Sequence, residues 1–280
     1  MLQFPDRISF TIKAIPGETA MLDAVKAVAT APTGQSPIRP SEMSQWTKKF
    51  GYVIPSWNTV VEYETTRMLP SGVSAHFSRI EHTEDSAAQL VYMSEQFPSH
   101  VKLLMHANLD AICYACTGAT FLKGRAKDVE YLEGMVTLAR RPIVSMAGSL
   151  VDAAKHLNVS RIAVGAPYED WLMKLLVAYL EDSGFKITNA IGLGQQANFF
   201  HTPDAAVELA NRVWTSDADG LILSCANFRT LEVVGNIEQR LGKPLITSNQ
   251  AALWNLLSKS NWRGSVPGAG MLLKSLALPG

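Results

Sequence analysis

Residues 109–121, LDAICYACTGATF, and residues 218–230, ADGLILSCANFRT, follow one plan. In each, an aspartate beside alanine leads into a short apolar run, the run ends on a cysteine, and small or polar residues follow. A short apolar run bounded by turn formers reads as a buried strand. Cys116 and Cys225 therefore stand at two strand ends, and the question is whether the rest of the chain repeats as well.

It does. YVIPSWNTVVEYETTRMLP (52–70) corresponds to IAVGAPYEDWLMKLLVAYLEDSG (162–184), each a strand, a proline, polar residues and a helix. RPIVSMAGSLVDAAKHL (141–157) corresponds to KPLITSNQAALWNLL (243–257). Strands are predicted in FGYVIP, VSAHFSRI, LDAICYAC, RPIVSM, RIAVGAP, FKITNAIGL, ADGLILSC and KPLITS. Helical spacing of apolar residues predicts helices in 84–108, 149–158, 170–184, 203–217 and 231–242, the last three with stop signals at Gly184, Asp217 and Gly242. Strands alternating with helices imply parallel sheets. The expected fold is α/β: two pseudo-symmetric, flavodoxin-like parallel-sheet lobes with the active site in the cleft between them. The predicted organisation is an N-terminal arm over 1–48, lobes over 49–148 and 149–258, and a C-terminal segment over 259–280 that packs back on the N-terminal lobe. Within the arm, RISFTIKAI (7–15) reads as a strand and ATAPTGQSPIRPSEMS (29–44) as a loop.

Composition narrows the function classes. The 280 residues carry 25 Lys+Arg against 25 Asp+Glu, without a like-charged run long enough to track a phosphate backbone or an anionic membrane, so neither nucleic acid nor membrane is an expected partner. There is no apolar stretch of membrane-spanning length, and MLQFPDRISF lacks a signal peptide's basic start, so a cytoplasmic location is expected. Three cysteines are an odd number and too few to staple this chain, which favours free thiols in a reducing compartment.

In open parallel sheets ligands bind beyond the carboxyl ends of strands. Two lobes facing across a cleft would bring Cys116 and Cys225 to opposite sides of one small molecule. A free thiol titrates near about 8.5, and neighbouring N–H groups lower that value; one cysteine can then act as thiolate and the other as acid. The alternative is that both are buried core residues. Cys113-Tyr114-Ala115-Cys116 is a poor redox pair, because Cys113 lies inside a strand whose alternation turns it away from Cys116. The histidines at 76, 82, 100, 106, 156 and 201 have no metal-ligand spacing and are expected at the surface or in packing, with His201 alone near a suspected site segment. GLGQQANFF (192–200) lacks the third glycine of a dinucleotide fingerprint, so no cofactor and no metal are expected.

GYVIPSWNTVVEYE, YACTGATFLKG, APYEDWLMKLLVAYLEDSGF and the run from Leu221 to Leu257 together resemble the maleate cis-trans isomerases, relatives of the arylmalonate decarboxylases within the aspartate/glutamate racemase superfamily. The resemblance implies that Cys116, in Tyr-Ala-Cys, is a nucleophile and that Cys225 is its acid/base partner. It implies that Asn58, in Pro55-Ser56-Trp57-Asn58-Thr59, binds a substrate carboxylate, with Ser56 beside it and Trp57 where the family has a small residue. Tyr168 follows from Ala-Pro-Tyr, and Asn198 from its place ahead of HTPD. Thr117, Gly118 and Ala226 would offer backbone N–H groups. The implied partner is a small carboxylate substrate, and an apolar arm suited to wrapping a neighbour makes a homo-oligomer the expected state. Two-thiol amino-acid or hydantoin racemases are the alternative. Arylmalonate decarboxylases follow, which have glycine at the first cysteine position. A non-catalytic solute-binding protein is the alternative outside enzymes.

Overall fold

The computed structural model describes residues 47–196, 201–264, 266 and 268–277. The strand expected in 7–15, nearly all of the arm, and Asn198 lie outside them.

All eight expected strands form: β1 (Lys48–Pro55), β2 (Val73–Ile80), β3 (Ala111–Tyr114), β4 (Ile143–Ser145), β5 (Arg161–Ala166), β6 (Lys186–Gly192), β7 (Gly220–Leu223) and β8 (Leu245–Thr247). They make two four-stranded parallel sheets, ordered β2-β1-β3-β4 and β6-β5-β7-β8, so the halves match strand for strand. Parallel pairing requires crossovers. The helices that connect and flank the strands are α1 (Val60–Met68), α2 (Ala87–Met105), α3 (Thr117–Phe121), α4 (Arg125–Ala139), α5 (Met146–His156), α6 (Asp170–Asp182), α7 (Pro203–Val213), α8 (Val234–Leu241) and α9 (Ser248–Lys259), followed by the short α10 (Gly270–Lys274).

The aspartates that open the two matched segments have a structural purpose. Asp110 accepts the Lys49 N–H at 2.8 Å and Asp219 accepts the Arg161 N–H at 3.0 Å, each tying the start of the neighbouring strand. At the other end, the Ala115 N–H donates to the Val53 carbonyl and the Ser224 N–H to the Gly165 carbonyl, both at 2.8 Å. The next residue along is in each case the cysteine. The β4 and β8 ends match too, because Ser145 caps α5 through the Gly148 N–H and Thr247 caps α9 through the Gln250 N–H.

The central strands are buried along their length, whereas the edge strands β2 and β6 are mostly half-exposed. The two sheets meet chiefly through α5 and α9, where Asn255 Nδ2 donates to Ser149 Oγ at 3.1 Å and to Asp152 Oδ2 at 3.0 Å. Two differences from the sequence reading concern helices. α4 was not anticipated, because only Asp128 and Ala139 of its fifteen residues are buried and no apolar stripe marks it. α7 ends at Val213, before Asp217. The C-terminal α10 packs against α8, α9 and β8, while Ser275 Oγ meets His156 Nε2 at 2.8 Å.

Gly165 shows how tightly the second sheet is covered. A Cβ there would lie 2.9 Å from both Leu209 Cγ and Leu223 Cδ2. Gly165→Ala is expected to destabilise the fold by about 1–3 kcal/mol through overpacking; a shift of the urea midpoint at constant slope measures it.

Candidate active site

The two matched strand ends deliver Cys116 and Cys225 to one small cavity. Asn58, Thr117, Gly118, Tyr168 and Ala226 line it as well. Ser56 does not: its hydroxyl accepts the His82 N–H at 3.1 Å. Asn198 falls outside the described residues.

Cys116 is the N-cap of α3, with extended backbone, and the N–H groups of Gly118 and Ala119 face its sulfur. Burial nevertheless dominates and pushes the thiol up to about 12. Cys225 is pushed up to about 12 as well, again by burial, against the Asn227 N–H that donates to its sulfur at 3.4 Å and against Tyr168 nearby. Its φ of +128° is a conformation that side-chain-bearing residues rarely adopt, and strain of this kind persists only where surroundings impose it. The imposing contact is Ser248 Oγ, which accepts the Cys225 N–H at 3.0 Å and meets the Thr117 hydroxyl at 3.2 Å. A single serine thus joins the loop of one cysteine to the loop of the other.

Cys113 is elsewhere. It is fully buried in β3, paired with Tyr52 on one side and Val144 on the other, and burial lifts its thiol far above the usual range.

Asn58 performs two tasks. Its Oδ1 accepts the N–H groups of Val60 and Val61 at 3.0 and 2.9 Å, capping α1, while its buried Nδ2 has no hydrogen-bond partner among the described residues. The turn carrying it is clasped by Arg79, which donates to the Ser56 and Asn58 carbonyls, both at 2.8 Å. The Tyr168 hydroxyl lies among Thr117, Ser224 and both cysteines, and burial keeps it protonated. Gly192 permits that placement, since a Cβ would come within 2.5 Å of the Tyr168 carbonyl.

Four functional positions escaped the sequence reading. His82 and Asp85 line the cavity, correcting the expectation that the histidines other than His201 lie away from the site. The Trp57 indole N–H donates to His82 Nδ1, burial lowers the imidazole to about 4, and the remaining proton is therefore on Nε2, 3.6 Å from Asp85 Oδ1. EHTEDS (81–86) leaves β2 at the carboxyl edge of the first sheet, from which Cys116 also emerges, and that position was the available signal. The third is Ser248. The fourth is Glu64 on α1, almost wholly buried, whose carboxylate accepts the N–H groups of Thr230 and Leu231 at 2.6 and 2.8 Å and Asn249 Nδ2 at 2.7 Å. It anchors the segment after Cys225 to the first sheet. His201 is buried edge-on against Phe228 in that segment, 5.2 Å between ring centres.

Two thiols at the ends of pseudo-equivalent strands, facing one enclosed space lined by neutral donors, suit acid/base or nucleophilic work at a single carbon or double bond. The family model for arylmalonate decarboxylase matches residues 61–273. The chain belongs to the arylmalonate decarboxylase family. Within it, the chain is 30% identical over 240 residues to the maleate isomerase of Nocardia farcinica, covering 81% of this chain and 96% of that one. It is 27% identical over 242 residues to the maleate isomerase of Geobacillus stearothermophilus, covering 80% and 96%. Among solved structures, a cysteine-to-serine mutant of the Nocardia farcinica maleate cis-trans isomerase with a covalently bound succinylcysteine intermediate superimposes with a TM-score of 0.74 at 26% identity, over 81% of this chain and 98% of that one. This member of the arylmalonate decarboxylase family is thus an enzyme whose family fold carries cysteine chemistry. Among its described residues no helix is long and apolar enough to cross a membrane.

Two outcomes follow from the site's physics. With both thiols near about 12, the thiolate fraction at neutral pH is small and grows tenfold per pH unit, so iodoacetamide labelling of Cys116 and Cys225, read by peptide mass spectrometry, is expected to accelerate without a plateau from pH 7 to 9. Glu64→Ala leaves buried N–H donors without an acceptor. A loss of about 3 kcal/mol in unfolding free energy by urea denaturation is expected.

Proposed function

We propose that the protein is a cofactor-independent cis-trans isomerase of a maleate-like cis-unsaturated acid, with Cys116 as nucleophile and Cys225 as acid/base. The observation that carries this reading is the pair of cysteines, one from each sheet, on a single cavity that also holds the buried Asn58 Nδ2, which has no hydrogen-bond partner among the described residues. The maleate isomerase relatives, and the succinylcysteine adduct in the Nocardia neighbour, support it. Cys116 itself weighs against decarboxylation, since the resembling decarboxylases have glycine at that position.

The reactive state holds one proton between the two sulfurs, on Cys225. The Cys116 thiolate adds to one carbon of the electron-poor double bond, forming a C–S bond, and the displaced electron pair moves onto the adjoining carbon and its carboxyl group. Cys225 gives its proton to that carbon. The former double bond is now single and rotates. Cys225 then removes the proton, the C–S bond breaks, the trans alkene leaves, and the sulfurs return to their starting state. Asn58 Nδ2, the Tyr168 hydroxyl and the backbone N–H groups near the cysteines stabilise charge as it grows on the carboxyl group, and such preorganised donors contribute most in an enclosed site. Isomerisation on this route needs no oxidant, reductant or cofactor.

Proton NMR of maleate, substituted maleates, aspartate, hydantoins and arylmalonates in D₂O tests the reading. Conversion of cis to trans vinyl signals is expected, falling ~1,000-fold or more in both Cys116→Ala and Cys225→Ala, while Cys113→Ser retains activity. Cys225→Ser is expected to accumulate a thioether adduct on Cys116 in the intact-mass spectrum. Exchange of an α-proton without alkene isomerisation would move the enzyme to the racemases.

A further inference from the structure

Trp57 is where the wall of the thiol cavity meets the surface. The described residues lining that cavity are all buried except Trp57 and Asp85, and the Asp85 side chain itself is only 7% exposed. Between these walls the open volume is about 20 Å³, the room of a single water molecule. A molecule with four or more carbons therefore reaches the sulfurs only by displacing part of the wall. Most of the wall is poorly placed to yield. Cys116, Thr117, Gly118 and Cys225 stand at strand ends or in α3, and Leu90, Tyr168 and Leu172 belong to the close-packed core, where movement costs contacts on every side.

The indole is held differently. Its N–H donates to His82 Nδ1, and its ring lies 5.0 Å from the imidazole, tilted by 48°. The backbone beneath it is fixed by other bonds. The Ser56 N–H donates to the Ile80 carbonyl at 2.8 Å, the Asn58 N–H donates to the Pro55 carbonyl at 3.0 Å, and Arg79 clasps the Ser56 and Asn58 carbonyls. The Trp57 side chain can thus turn outward about its own bonds while Asn58 keeps its place. A slim ligand needs little of this motion, whereas a bulky one needs the ring to leave His82 altogether. Only the bulky ligand then incurs the loss of the hydrogen bond and of the ring's packing, which is discrimination by size.

Resting on the isomerase reading of the site, we propose that Trp57 is a specificity-determining residue whose indole closes the cavity over the two cysteines and selects small cis-unsaturated acids against those carrying an aryl group on the double bond.

The test uses the full chain, wild type and the variants Trp57→Ala and Trp57→Phe, with two readouts. Peptide mass spectrometry follows alkylation of Cys116 and Cys225 by iodoacetamide and by the larger N-phenylmaleimide, each rate divided by that reagent's rate with free cysteine. Cys113, fully buried in β3, stays unlabelled wherever the fold is intact. Proton NMR compares kcat/KM for maleate and phenylmaleate. Trp57→Ala is expected to speed N-phenylmaleimide at least about tenfold and iodoacetamide less than about threefold, and to narrow the preference for maleate about tenfold or more. Trp57→Phe, which keeps a ring and loses the N–H, is expected to fall between wild type and Trp57→Ala, and it carries the test if Cys113 labelling shows Trp57→Ala to be unfolded. Equal acceleration of both reagents, or an unaltered preference with maleate still isomerised, would overturn the size selection and leave the isomerase reading intact. Size-selective acceleration without isomerisation of either alkene would sustain Trp57 as the closing wall and sink the isomerase reading. Variants that match wild type in both readouts overturn the proposal.

Discussion

The last ladder hydrogen bond of each sheet decides where its cysteine stands. Parallel pairing holds Ala115 to Val53 and Ser224 to Gly165, and one residue later the chain is released from the sheet with a thiol at the point of release. Because the strand orders are the same, the two release points are equivalent, and the packing of α5 against α9 turns them towards one cavity. The Cys225 backbone is strained in reaching it, and the Ser248 hydroxyl holds it there while also meeting Thr117. Strain stored at a reactive residue and maintained by its neighbours is a recurrent arrangement in active sites.

Enclosure governs the electrostatics. The same desolvation that raises both thiols also holds the Tyr168 hydroxyl protonated and the His82 imidazole neutral. The cavity consequently offers neutral hydrogen-bond donors and two thiols, with Asp85 at one side. Buried polar atoms in such a space are costly unless satisfied. That is why Asn58 Nδ2, without a hydrogen-bond partner among the described residues, reads as a ligand contact, whereas Glu64, with three N–H donors, reads as a brace between the first sheet and the segment after Cys225.

Much of the fold was legible because duplication leaves its mark twice. The paired Asp entries, the apolar runs and the terminal cysteines recur in order, and the structure supplies the reason for the aspartates as well as the runs. α4 was hidden because its residues are mostly exposed and need no apolar stripe. In the site, residues carried by the strand-end rule or the family resemblance, such as Cys116, Cys225, Asn58 and Tyr168, do reach the cavity, whereas Ser56 turns to the His82 backbone. His82, Asp85, Ser248 and Glu64 were not found: His82 and Asp85 sit in no repeated motif, and Ser248 and Glu64, although inside repeated segments, take their meaning from partners distant in sequence.

The sequence by itself determined the α/β class, the internal duplication and the pairing of Cys116 with Cys225, because strand periodicity, turn chemistry and repeated punctuation are local properties of the chain. Only the tertiary structure decided which polar atoms face the cavity, which way the His82 proton points, and that Asp85 stands beside the thiols. Burial, tautomer and field depend on what surrounds a group in three dimensions, and here those surroundings come from opposite sheets and from segments more than a hundred residues apart.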